Sequence, residues 1–198
     1  FWSLPSLDDT AFDVWRPLFT MSPHLPTPAS DSGNLSALTR AVTAAAGQKE
    51  KENALADFNE AIRLDPQNPV AYAVRGDYWR EYHDADSMER AIADYSEAIR
   101  RDPKLLRAYE ARSLAYAWKT DYAKEQSDLT AAIQLDPDSP HHYFRRGKSL
   151  VTGGNSEAAI ADFQIALKID PTNAAVYAAR ANVYKQLNDV EKFLADAE

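Results

Sequence analysis

Ala61-Ile-Arg-Leu-Asp-Pro66-Gln-Asn-Pro-Val-Ala-Tyr72-Ala-Val-Arg-Gly76-Asp-Tyr-Trp79 decides the fold of this chain, because both halves of the stretch recur. The first half returns as Ala98-Ile-Arg-Arg-Asp-Pro103, Ala132-Ile-Gln-Leu-Asp-Pro137 and Ala166-Leu-Lys-Ile-Asp-Pro171, with the prolines 37, 34 and 34 residues apart. The second half returns as Tyr109-x-x-Arg-Ser113-x-x-Tyr116, Tyr143-x-x-Arg-Gly147-x-x-Leu150 and Tyr177-x-x-Arg-Ala181-x-x-Tyr184. Two phrases locked in one register define an internal repeat, and the repeat governs every later reading.

Each unit reads as two helices. The i, i+3, i+4, i+7 spacing of Tyr72, Arg75, Gly76 and Trp79 puts them on one helical face, where the small residue lets a second helix approach closely. That second helix carries Ala91, Tyr95 and Ala98 at helical spacing. Asp-Pro then ends it, because proline cannot continue a helix and biases the residue before it away from helical angles. One helix pair cannot bury its own apolar faces, so neighbouring units must stack to complete the core.

The pattern resembles the tetratricopeptide repeat, with its period of about 34 residues and its order of large apolar, small, aromatic, alanine, aromatic and proline. The resemblance covers roughly residues 35 to 198. It implies an all-α fold, a right-handed α-α superhelix (solenoid) of about four to five tetratricopeptide-type helix pairs. The units run about 35-68, 69-105, 106-139, 140-173 and 174-198, within a repeat domain 31-198 that follows a proline- and aromatic-rich segment 1-30. The first unit keeps Ala54, Phe58, Ala61 and Pro66 but lacks aromatic residues in its first helix, as suits an end cap. In the third unit Glu125 and Leu129 replace the usual alanine and aromatic residue, which predicts looser packing there. Three extra residues near Tyr82–Asp86 predict either one added helical turn or a longer turn. The last unit stops inside its second helix at Glu198, so either the chain once continued or Phe193 and Leu194 seek cover elsewhere.

Arginine recurs at 75, 112, 146 and 180, and aspartate at 57, 94, 128, 162 and 196. These columns read either as a binding surface or as a ladder bracing adjacent helices. Close helix packing favours the ladder, with bidentate guanidinium–carboxylate contacts.

The resemblance also implies that the first helices of successive units line a concave groove. Residues facing away from the packed side of those helices are Val70, Ala73, Asp77 and Arg80, then Arg107, Glu110, Leu114 and Ala117. The fourth unit adds His141, Phe144, Arg145, Lys148 and Val151, and the last adds Ala175, Ala178, Asn182 and Lys185. Of these, Arg107, Glu110, Leu114, His141, Phe144, Arg145, Lys148, Asn182 and Lys185 are the candidate peptide-binding residues. The C-terminal half of the groove is basic in a chain of net charge −8, which suits a peptide rich in Asp or Glu, or one ending in a free carboxylate. The plain alternative is a set of solvated charges on helix surfaces. Chaperone-binding members of the family clamp two carboxylates with Lys, Asn, Asn, Lys and Arg. Arg145 matches the last of these, but Ala73 and Asp77 stand where the clamp has Lys and Asn, and His141 where it has its second Lys.

The chain offers no constellation for catalysis. Its six glycines are scattered and form no phosphate-cradling loop, and it has no cysteine for a thiolate ligand, a disulfide or a thiol nucleophile. His141 and His142 are adjacent and diverge by about a hundred degrees on a helix. No carboxylate at helical spacing completes a metal site with them, so neither metal nor cofactor is expected. Asp84-Ala-Asp86 and Asp136-Pro-Asp138 read as turn and capping residues, and Asn34-Leu-Ser36 fits a glycosylation triplet of low specificity. The acidic balance argues against nucleic acid as main partner, and no apolar run is long enough for a membrane span. The chain begins with Phe1, which implies processing, trimming or engineering and leaves the compartment open. Phe1, Trp2, Phe12, Trp15 and Phe19 predict that segment 1-30 packs on the repeats, over the first units or inside the groove. The reading is thus a non-catalytic scaffold that holds a protein or peptide. The alternative is a structural module, with homo-oligomerisation through the terminal unit.

Overall fold

The computed structural model describes residues 48–197, so segment 1-30 and the first helix of the first unit lie outside the described residues. The described chain holds nine helices: α1 (Gln48–Leu64), α2 (Pro69–Arg80), α3 (Ala85–Arg101), α4 (Leu106–Trp118), α5 (Tyr122–Leu135), α6 (Pro140–Thr152), α7 (Ser156–Ile169), α8 (Ala174–Gln186) and α9 (Val190–Ala197). Each packs against its neighbours in sequence, and the first helices of adjacent units also meet, α2 with α4 and α6 with α8. The fold is an all-α repeat solenoid.

Local chemistry sets the helix boundaries. The second helix of the second to fifth units starts behind a short polar side chain that accepts a backbone N–H: Asp84 from Ser87, Asp121 from Lys124, Asn155 from Ala158 and Asp189 from Lys192. One residue earlier the backbone turns through the left-handed region, at His83, Thr120, Gly154 and Asn188. Only one of these is glycine, and Thr120 (φ 58°) carries a branched side chain where such residues rarely sit. At the other end Asp65, Asp102 and Asp170 each accept the backbone N–H two residues on, so Asp-Pro both stops a helix and folds the turn after it. The second unit's extra residues are now placed. Helix α3 has 17 residues where α5 and α7 have 14, and the turn before it is longer by one residue only because α2, with 12 residues, is one shorter than α4, α6 and α8. The insertion is therefore one added helical turn, and buried Ser87 and Met88 anchor it.

Close approach within a unit follows a reciprocal size rule. A Cβ on Gly76 would stand 2.7 Å from the Tyr95 ring, and one on Gly147 2.5 Å from the Phe163 ring. In the third unit, where Leu129 takes the aromatic position, the small position has grown to Ser113, and both are fully buried. The third unit therefore keeps its core at this point.

The charged columns form the ladder. Arg75, Arg112, Arg146 and Arg180 make bidentate contacts to Asp94, Asp128, Asp162 and Asp196, with N–O distances of 2.6–2.9 Å. Three of these arginines also reach back to the preceding unit, donating to Asn59 Oδ1, Ser96 Oγ and Thr130 Oγ1. One guanidinium thus ties three helices together. Its planar fork suits this, because five N–H donors point along fixed directions.

Joints between units repeat as well. The second helix of one unit meets the first helix of the next through residues 24 apart. Ala54 and Tyr78 share one core cluster, Ala91 and Ala115 another, and Ala159 and Val183 a third. At the remaining joint the residues are Glu125 and Ser149, both buried, with Ser149 Oγ donating to Glu125 Oε2 at 2.7 Å.

Candidate functional site

The polar joint opens on a cleft of about 280 Å³ where the third and fourth units meet, lined by Leu114, Tyr122, Glu125, Arg145, Lys148 and Ser149 among others. Helix α4 supplies its exposed apolar wall through Leu114, and α6 supplies Arg145 and Lys148 one turn apart. Arg145 is half-buried and donates from Nη2 to Ser113 Oγ at 2.9 Å. Among the described residues no carboxylate makes a salt bridge to it. Burial pulls its guanidinium below the ordinary arginine value, while Glu125 and Glu110 nearby favour its charge. A desolvated guanidinium with unused donors is poised for an anionic acceptor. Lys148 is exposed, with Nζ 5.6 Å from the centre of the Phe144 ring.

The other candidate residues are placed variously. Arg107 donates to Asp77 Oδ2 at 2.5 Å, linking α4 to α2. Asp77 also accepts from Tyr95 at 2.8 Å and is buried, as is Ala73. The expectation that these two point into a groove is therefore corrected: both sit in the packing between the second and third units. Glu110 accepts from the buried His142, with 2.7 Å between Oε1 and Nε2. His141 is exposed, and partial desolvation followed by the charge of Arg145 holds its imidazole below its ordinary value. Phe144 packs on Phe163, ring centres 6.0 Å apart. Asn182 and Lys185 are exposed on α8, where Asn182 lines a separate concavity of about 720 Å³ with Tyr177, Ala178 and Phe193. The structure therefore gathers Leu114, Arg145 and Lys148, with Glu110 and His141 close by in charge, and leaves Arg107, Asn182 and Lys185 apart. Glu125 and Ser149 belong to the cleft but were absent from the sequence-based set. The 24-residue pairing would have found them, had both members been compared across units. Among the described residues no group of three or more His, Cys, Asp or Glu side chains is placed to hold a metal, and no helix is long and apolar enough to cross a membrane.

The Glu110–His142 pair makes the joint pH-sensitive. The hydrogen bond to Glu110 raises His142 above its ordinary value, and the same bond lowers Glu110. A raised histidine contributes stability below its unfolded value of about 6.5, lost as pH rises through the folded value. A lowered glutamate contributes above its unfolded value, and that part is lost as pH falls through the folded one. The pair is therefore fully effective between roughly pH 4.5 and 6.5. Glu110→Gln should lower Tm most near pH 5.5 and progressively less toward pH 9. A difference independent of pH in thermal melts would show the pair not to be linked to folding.

The tetratricopeptide-repeat family matches this chain at residues 35–68, and a TPR-repeat profile matches residues 147–188. Serine/threonine-protein phosphatase 5 of Rattus norvegicus is 36% identical over 125 residues, 63% of this chain and 18% of the phosphatase. The Homo sapiens enzyme is 36% identical over 123 residues, 62% of this chain and 17% of its own. The match thus spans less than a fifth of these relatives. Among solved structures, MamA superposes with a TM-score of 0.72 at 15% identity, covering 84% of this chain and 91% of its own. Pseudomonas aeruginosa PilF gives 0.69 at 15% identity, over 85% of this chain and 75% of its own. These two likenesses speak to the fold. The chain carries tetratricopeptide repeats at residues 35–68 and 147–188.

Proposed function

We propose that this protein is a non-catalytic interaction scaffold whose first-helix face takes an extended peptide, anchored through an acidic side chain or a free C-terminal carboxylate. The observation that carries this reading is Arg145: a half-buried guanidinium at a cleft, with a serine hydroxyl as its hydrogen-bond partner. Lys148 adds a second, exposed cation, and Leu114 and Phe144 offer apolar contact for neighbouring peptide residues. The two-carboxylate clamp of the chaperone-binding members is not the mode proposed, since Ala73 and Asp77 are buried in packing.

Binding of this kind is salt-sensitive, because mobile ions screen exposed charge contacts over about 8–10 Å at ordinary ionic strength. Acidic peptides titrated by fluorescence anisotropy should bind the wild type, weaken as salt rises, and lose at least about tenfold in affinity to a double reversal, Arg145→Glu with Lys148→Glu, a loss of roughly 1.4 kcal/mol. Equal affinity for both proteins would remove this site from consideration.

A second reading rests on the terminal unit, where Leu187, Val190 and Leu194 are about half exposed or more and Phe193 lines the concavity of about 720 Å³. In that reading the chain is a structural module that associates through its last helices, and acidic peptides bind neither the wild type nor the reversed variant.

A further inference from the structure

Three of the four joints between units are closed by apolar residues: Ala54 with Tyr78, Ala91 with Ala115, and Ala159 with Val183. The fourth is closed by Glu125 and Ser149. Both members of the pair have changed character at the same joint, and that joint is the one that opens on the Arg145 cleft. A carboxyl group buried to 7% exposure in place of alanine opposes folding unless its oxygens are satisfied. Only part of that requirement is met. Among the described residues Glu125 Oε2 accepts from Ser149 Oγ, and Oε1 has no donor. Gln126 Nε2 donates to Ser149 Oγ at 3.3 Å. Arg145, although close enough to feel the charge of Glu125, forms no salt bridge with it and donates to Ser113 Oγ.

From this arrangement we infer that Glu125 is a specificity residue: it receives a hydrogen-bond donor side chain of the bound peptide, amide or ammonium, while Arg145 and Lys148 take the peptide's neighbouring acidic group. The inference rests on the groove being a peptide site. Charge complementarity fixes the form of the ligand. The cleft offers two cations at its rim and an acceptor at its floor, so a purely acidic peptide leaves Glu125 unanswered and a purely basic one is repelled at the rim. Leu114, Ala117 and Tyr122 provide walls along which the stem of a Gln or Lys side chain can lie. A site built around a buried acceptor rejects ligands without the matching donor, because the acceptor is then desolvated and unpaired.

The test is a peptide array in which acidic residues and neighbouring donors (Gln or Lys, against Ala) are varied independently, probed with the wild type, Glu125→Ala and the Arg145→Glu/Lys148→Glu variant. Glu125→Ala restores the residue used at the other joints, so its Tm should equal or exceed that of the wild type. The wild type should favour donor-bearing peptides about tenfold over their Ala counterparts. Glu125→Ala should lose that preference and keep the preference for acidic residues, which only the rim reversal removes. A donor preference that is absent from the wild type, or that survives in Glu125→Ala, overturns the assignment. A sharp fall in the Tm of Glu125→Ala also overturns it, since Glu125 would then serve packing. Loss of the acidic preference alone, with the donor preference intact and Glu125-dependent, overturns the proposed carboxylate anchor and leaves Glu125 as the reading residue.

Discussion

Gly147→Leu should unfold the fourth unit at a markedly lower temperature than the wild type. A Cβ at this position would lie 2.5, 2.8 and 3.1 Å from three carbons of the Phe163 ring. The ring is fully buried and cannot swing into solvent, so the helices themselves must part. Overpacking of this kind costs on the order of 1–3 kcal/mol or more. For a chain of this size each kcal/mol moves Tm by about 2–4 °C. The neighbouring unit supplies the compensating change, because it pairs Ser113 with Leu129 where this one pairs Gly147 with Phe163. The double variant G147S/F163L should accordingly recover most of the stability lost by G147S alone, a coupling that a double-mutant cycle in urea measures. An unchanged Tm in Gly147→Leu would mean that the two helices do not meet at this residue.

Asp162→Ala should cost about 3 kcal/mol, the lower end of the range for removing one partner of a buried ion pair. Asp162 holds Arg146 through two 2.8 Å bonds, and its side chain is 6% exposed against 22% for the arginine. Without the carboxylate, Arg146 keeps, among the described residues, one hydrogen bond to Thr130 Oγ1 on the preceding unit, at 3.0 Å, and its contact with the Tyr143 ring. The partial exposure of the guanidinium lets water replace some of what is lost, which sets the effect at the low end. Asp162→Asn, with one acceptor oxygen left, should fall between. Replacing both partners, as in R146M/D162L, should be far milder than Asp162→Ala, since an apolar pair leaves no charge stranded. Because repeats couple to nearest neighbours, hydrogen exchange should quicken around α5 to α7 before α2 and α3. Equal protection loss along the whole chain would contradict a nearest-neighbour ladder.

Both predictions use features that the sequence displayed directly. Gly147 stood in the small position of each first helix, and Arg146 and Asp162 stood in periodic columns, so their roles followed from spacing and from the reach of a planar guanidinium. The three added residues of the second unit left two options open, because periodicity counts residues and does not say where a helix begins. The capping contact of Asp84 with Ser87 decided that they lengthen α3.

The candidate groove was legible only in part. Helical spacing gives the direction in which a side chain leaves its own helix, and on that basis Leu114, Arg145 and Lys148 were found. It does not give what the neighbouring helix brings to meet it. Asp77 left its helix in the expected direction and met Arg107 and Tyr95, becoming part of the packing. Glu110 met His142, which no sequence pattern paired with it. Glu125 was visible as a departure from the repeat, but its consequence was read as loose packing.

The sequence by itself determined the helix pairs, their stops, the stacking order and the ladder, because each is set by a short-range period acting on backbone geometry and side-chain size. Only the tertiary structure decided which polar groups are spent on packing and which are left with unused hydrogen-bonding capacity. That distinction depends on whether a partner arrives from another unit, some 30 to 32 residues away, as for Asp77 with Arg107 and Glu110 with His142. Arg145 and Glu125 stand out because, within a crowded polar joint, their remaining donors and acceptor are not met by each other.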